Sequence, residues 1–142
     1  QTGTPEAAVL PETIAGLSLV QSRYGPEAVA EVTRLHDKSF PLASGAFGMY
    51  GRSDNMAMLW VTGTPLQPVA TQMVAAMEEA IAKGESPFTP VGVLDVNGRQ
   101  VRELTGMGQR HYYFRSGNAV IWLAADEDMA DSALAETLIF YP

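Results

Sequence analysis

Residues 91–125 read VGVLDVNGRQVRELTGMGQRHYYFRSGNAVIWLAA. Runs of strand-forming residues are separated by Asn97-Gly98, Gly106-Met107-Gly108 and Ser116-Gly117-Asn118. Glycine and asparagine at such breaks accept the positive φ that tight turns require. The pattern is that of an antiparallel meander of three or four strands. Asn97-Gly98 is its strongest hairpin signal, and pairing across that turn sets Leu94 opposite Val101 and Val96 opposite Arg99. The turn at Gly117 leaves the next register open. A loop of two or four residues puts His111, Tyr113 and Arg115 on the face of Val120, Trp122 and Ala124, and a loop of three puts them with Ile121 and Leu123. In the first case His111, Tyr113 and Trp122 are neighbours, while Tyr112, Phe114, Ile121 and Leu123 form the core side.

Upstream of the meander, a helix is expected from the Thr64-Pro65 or Gln67-Pro68 pair to Lys83. Leu66, Val69, Ala70, Met73, Met77, Ala80 and Ile81 make its apolar stripe, and Gly84 is a C-terminal stop. Before it, residues 43–51 and 56–62 read as two strands joined by a polar turn. The second is apolar at almost every position, which predicts cover on both faces. Gly25-Pro26 opens an earlier helix with Val29, Val32, Leu35 and His36 on one face, His36 being a boundary residue. Ile14, Leu17 and Leu19 allow a short edge strand in the opening segment. Downstream, Asp126-Glu127-Asp128 starts a last helix with Met129, Ala130, Ala133, Leu134, Thr137, Leu138 and Tyr141 inward. The fold expected is α+β: a single domain over 11–142, with an antiparallel sheet of about five strands and two to three helices packed on it, in the order (β)-α-β-β-α-β-β-β-α. Residues 1–10, small, polar and Pro-containing, are expected to be a flexible tether leading back to a signal sequence or lipid anchor.

The chain has 142 residues, 46% of them hydrophobic and 18% charged, which suits one ordinary domain. No apolar run approaches the ~18 residues of a membrane span. Cysteine is absent, so disulfides, thiolate metal sites and a cysteine nucleophile are excluded. That composition suits an extracytoplasmic protein, periplasmic, cell-surface or secreted. A net charge of −7 argues against nucleic acid or an anionic membrane surface as a partner.

Against this acidic background Arg99, Arg102, Arg110 and Arg115 are concentrated in the meander. They either pair with carboxylates of the same domain or present a cationic face to an anionic ligand or acidic protein surface. His111 has no serine, cysteine or carboxylate at a triad spacing. The methionines fall on apolar faces rather than at copper-ligand spacings, and Asp126, Asp128 and Asp131 lack the glycine and distal Glu of a calcium loop. Leu10-Pro11-Glu12-Thr13 lacks the glycine of a sortase signal, and Gly106-Met107-Gly108 is only a fragment of a dinucleotide loop. No cofactor or metal is expected.

The leading expectation is a non-catalytic binding or accessory domain, extracytoplasmic and tethered to a membrane upstream. It would use Arg110, His111, Tyr113, Arg115 and Trp122 on an exposed sheet face for a protein or small anionic ligand. Two other readings stand beside it. One is a small enzyme with His111 as acid or base beside Tyr113, and the other is a self-assembling homodimer.

Overall fold

A computed structural model describes residues 10–24, 44–52, 55–64, 66–84, 88–96, 98–106 and 108–141. The expected tether and the expected first helix with His36 lie outside the described residues. The chain forms β1 (Thr13–Ile14), β2 (Leu17–Tyr24), β3 (Ser44–Arg52), β4 (Asn55–Gly63), helix α1 (Gln67–Ala82), β5 (Thr89–Val96), β6 (Arg99–Gly106), β7 (Gln109–Ser116) and β8 (Ala119–Ala125). A short 3-10 turn (Glu127–Met129) leads into helix α2 (Ala130–Phe140). All strands join one antiparallel sheet in the order β1-β2-β3-β4-β8-β7-β6-β5. The chain thus leaves the middle of the sheet at β4, crosses to the far edge through α1, and returns strand by strand until β8 pairs with β4.

The α+β class holds, but the expectation of about five strands with two to three helices is corrected. The sheet has eight strands, and the described residues contain two α-helices. Much of the shortfall lies in the opening segment. Its β1–β2 hairpin turns at Ala15 (φ 52°) and Gly16 (φ 81°), with Ile14 paired to Leu17. Alanine is disfavoured at positive φ and gives no turn signal. The turn is held from outside, where the Ala15 amide donates to Glu136 Oε1 of α2 at 2.9 Å. Strand β2 is mostly exposed, so its sequence carries no clean alternation. At the other edge β5 is exposed at seven of its eight positions. Pro90 and a register shift between Pro90 and Gly92 interrupt that edge, both features that discourage edge-to-edge pairing.

Among the described residues, each face of the sheet carries one helix. Ala57, Leu59, Val61, Tyr112, Phe114, Ile121 and Leu123 pack with Ala133, Leu134 and Leu138 of α2. The opposite face packs Trp60, Leu104, Tyr113, Val120 and Trp122 against Ala70, Met73, Val74, Met77 and Ile81 of α1. This explains the nearly continuous apolar run of β4, whose alternate residues enter the two cores. In α1 the buried stripe includes Val74, while Leu66 lies at the N-cap, exposed. Neither described α-helix is long and apolar enough to cross a membrane.

Candidate functional site

The turn after β7 is a two-residue loop, because Ser116 pairs with Ala119. Thus His111 lies opposite Ala124, Tyr113 opposite Trp122 and Arg115 opposite Val120. The sheet continues this pairing into one transverse line: Phe47 to Trp60, Trp60 to Trp122, Trp122 to Tyr113, Tyr113 to Arg102, and Arg102 to Val93. Along it the Phe47 and Trp60 rings sit 5.1 Å apart, and the Tyr113 and Trp122 rings stack at 5.2 Å and 7°.

These aromatics are not open to solvent. Tyr113 is 1% exposed, and His111 and Trp122 are each 3% exposed, under a layer that includes α1 and Phe88. The Trp122 indole N–H donates to His111 Nδ1 at 3.1 Å. That leaves the proton on Nε2, which donates to the Gly106 carbonyl at 3.0 Å. Burial holds the His111 pKa below the ordinary imidazole value, against an opposing upward push from the Gly106 bond. The result is a neutral imidazole with both nitrogens occupied, positioned to pin β7 to β8. Burial, reinforced by the charge of Glu78, pushes the Tyr113 hydroxyl up, so it stays protonated at any working pH.

The four arginines are divided by strand alternation. Arg110 faces the α2 side, where it bonds Glu103 and reaches Glu127 Oε1 at 2.9 Å, and both contacts push its pKa up. Arg99 faces the same side, donates to the carbonyls of Leu138 and Tyr141 at the end of α2, and lies 5.4 Å above the Phe114 ring. Helix α2 has no basic residue in its last turn, so a β6 side chain supplies the positive charge there. Arg99→Met is expected to lower the unfolding free energy by about 1–2 kcal/mol through these lost contacts. A urea midpoint indistinguishable from that of the parent chain would contradict this.

Asp126 stands at the N-cap of the 3-10 turn, but its side chain makes no capping bond there. Its carboxylate accepts instead from the Met56 amide at 3.0 Å and from Gln109 Nε2 at 3.2 Å, tying the end of β8 to β4 and β7.

Arg102 and Arg115 remain on the α1 side. They border a groove of about 370 Å³, with Gln100 of β6 on one wall and Thr71, Val74 and Ala75 of α1 on the other. The β5–β6 turn at Gly98 and Arg99 closes one end, although the Arg99 guanidinium itself is engaged on the opposite face. Arg115 Nη1 donates to the Gly117 carbonyl at 2.8 Å. Among the described residues Arg102 is held only by Glu78, at 3.5 Å, and Glu78 is half exposed. A strong guanidinium–carboxylate contact is nearer ~2.8 Å. The Arg102 Nε is buried without a hydrogen-bond partner. The Arg110 Nε is in the same state, but both terminal nitrogens of that side chain are bound by carboxylates. Of the four meander arginines, Arg102 and Arg115 are the two whose guanidiniums border this groove, and neither has a close carboxylate partner among the described residues. The groove could hold an anion, and the described residues contain no cluster of metal ligands.

No protein-family model matches this chain, and no curated protein or solved structure matches it significantly.

Of the residues expected to form one exposed site, His111, Tyr113 and Trp122 are joined in a closed layer, Arg115 borders the groove, and Arg110 lies on the other face. Arg102 and Gln100 were not among them. The signal for both was the turn at Gly106-Met107-Gly108, which pairs Gly106 with Gln109 and so sets Arg102 beside Tyr113.

Proposed function

We propose that this protein is a non-catalytic binding domain that takes a small anion in the groove between α1 and β6–β7. The observation that carries this reading is the pair Arg102 and Arg115 on one groove, with Arg102 opposed among the described residues only by a distant, half-exposed Glu78. The groove volume falls in the range of ligand sites, roughly 300–1,000 Å³. Arginine suits carboxylate and phosphate because its planar fork donates two parallel hydrogen bonds. Binding is favoured over acid–base catalysis because both nitrogens of His111 are already used. A cysteine-free composition is compatible with the extracytoplasmic location that belongs to this proposal.

Titration with inorganic phosphate and with acetate tests the reading. Arg102→Gln and Arg115→Gln are each expected to weaken binding about tenfold, the usual scale of one charge-assisted contact. Arg110→Gln, on the far side of the sheet, is expected to leave binding unchanged. Loss of binding on Arg110→Gln but not on Arg102→Gln would put the site on the wrong face.

A further inference from the structure

We infer that the anion bound at Arg102 is an unbranched aliphatic carboxylate whose tail lies along α1, and that Glu78 is the internal counter-ion its head displaces. This rests on the anion-binding reading above and deepens it. A second cavity of about 200 Å³ follows the cationic groove, lined by Ile81 of α1, Pro90 and Val93 of β5, Leu104 of β6, and Tyr113. Arg102 lines both cavities. On α1 the lining residues Thr71, Val74, Glu78 and Ile81 recur at spacings of three or four, which is one face of a helix. On β6 the lining residues Gln100, Arg102 and Leu104 alternate, which is one face of a strand. The two rows run in the same order past each other, so the cavities are successive segments of one trough. The Arg102–Glu78 contact at 3.5 Å spans it midway.

The two segments differ in chemistry. The first offers two guanidiniums, an amide and a hydroxyl. The second offers aliphatic carbons and a tyrosine ring, with Glu78 and Arg102 at the boundary; Glu103 also lines it, its carboxylate held by Arg110. A bare inorganic anion would use only the first segment. A carboxylate head at Arg102 takes over the role of Glu78, and the helix-facing side of the trough then admits the methylenes between Ile81 and Leu104. Glu78 is half exposed and turns outward into water when displaced, at a cost of no more than a several-fold factor in affinity, since a partly exposed pair this long is weak.

Isothermal titration calorimetry of the full chain with acetate, butanoate, hexanoate and octanoate tests the tail. Affinity is expected to rise about fourfold per methylene until the second cavity is filled. Val93→Asp is expected to flatten that series, and Glu78→Gln to tighten octanoate binding several-fold by removing the competitor. Val93 and Glu78 are both at least half exposed, so neither change should cost the fold. Binding of acetate and phosphate with no dependence on chain length overturns the tail and leaves the anion reading standing. Octanoate binding that Arg102→Gln does not weaken overturns the placement of the head, and binding unimproved by Glu78→Gln overturns the counter-ion role. Failure of acetate, phosphate and octanoate alike to bind overturns both readings together.

Discussion

Trp122→Ala is expected to lower the unfolding free energy by about 3–5 kcal/mol, the range for truncating a large core aromatic. Trp122 is a central member of the α1-side core. It stacks on Tyr113 at 5.2 Å, meets Phe88 at 5.1 Å, is paired across the strands with Trp60, and donates to His111. Truncation opens a cavity under α1 and also strands the His111 Nδ1 lone pair without its donor. Trp122→Phe separates the two effects, because most of the ring volume remains while the N–H is lost. Its cost should fall to about 1–3 kcal/mol, the penalty of one buried unsatisfied polar group plus a small void. Urea denaturation measures both. A loss below about 1 kcal/mol for the alanine variant would mean the layer is not closed, since surface aromatics cost no more than that.

Acidification is expected to destabilise the protein through His111. Its folded pKa is depressed by burial, so the unfolded chain binds the proton more readily than the folded one. The stabilisation is therefore present in full above the unfolded value of about 6.5 and is lost as pH falls from there toward the folded pKa. Structurally, a proton on Nδ1 would point at the Trp122 N–H, setting donor against donor at 3.1 Å. His111→Asn keeps an acceptor near the Nδ1 position and cannot titrate. The difference in stability between parent and variant should shrink or reverse as pH drops through this window, while the carboxylates common to both cancel. A difference that stays constant with pH would remove His111 from the account. Tryptophan fluorescence follows the same event, because the indole loses its acceptor.

The sequence was informative wherever alternation met a recognisable turn. Asn97-Gly98 set Leu94 against Val101 and Val96 against Arg99, and both pairs occur. The separation of Tyr112 and Phe114 from His111 and Tyr113 also follows from alternation and is found. Alternation carried one more message that the expected site did not use. Arg110 is an even-numbered neighbour of His111, so it belongs to the other face, beside Glu103 and Glu127. What strand residues cannot encode is where a distant helix lands. The stripe of α1 was legible, but that it covers the Tyr113–Trp122 face and not the other depends on the crossover from β4 to β5. The closure of the aromatic layer and the existence of the groove both follow from that crossover. The β1–β2 hairpin was hidden for a different reason, since its alanine turn is stabilised by a carboxylate 121 residues away.

The route of the chain through the sheet has a consequence for how a bound ligand would be felt. Every described residue on the walls of the groove and the cavity beyond it falls within 71–115, the passage that holds α1 and the returning strands β5 to β7. Among the described residues the first four strands contribute none of the lining, and the β4–β8 ladder joins them to this passage by way of β7. A guest in the trough would therefore tighten one contiguous cooperative unit of the molecule first. The remainder would sense it through the seam where Trp60 meets Trp122 and through the core that Trp60 shares with α1.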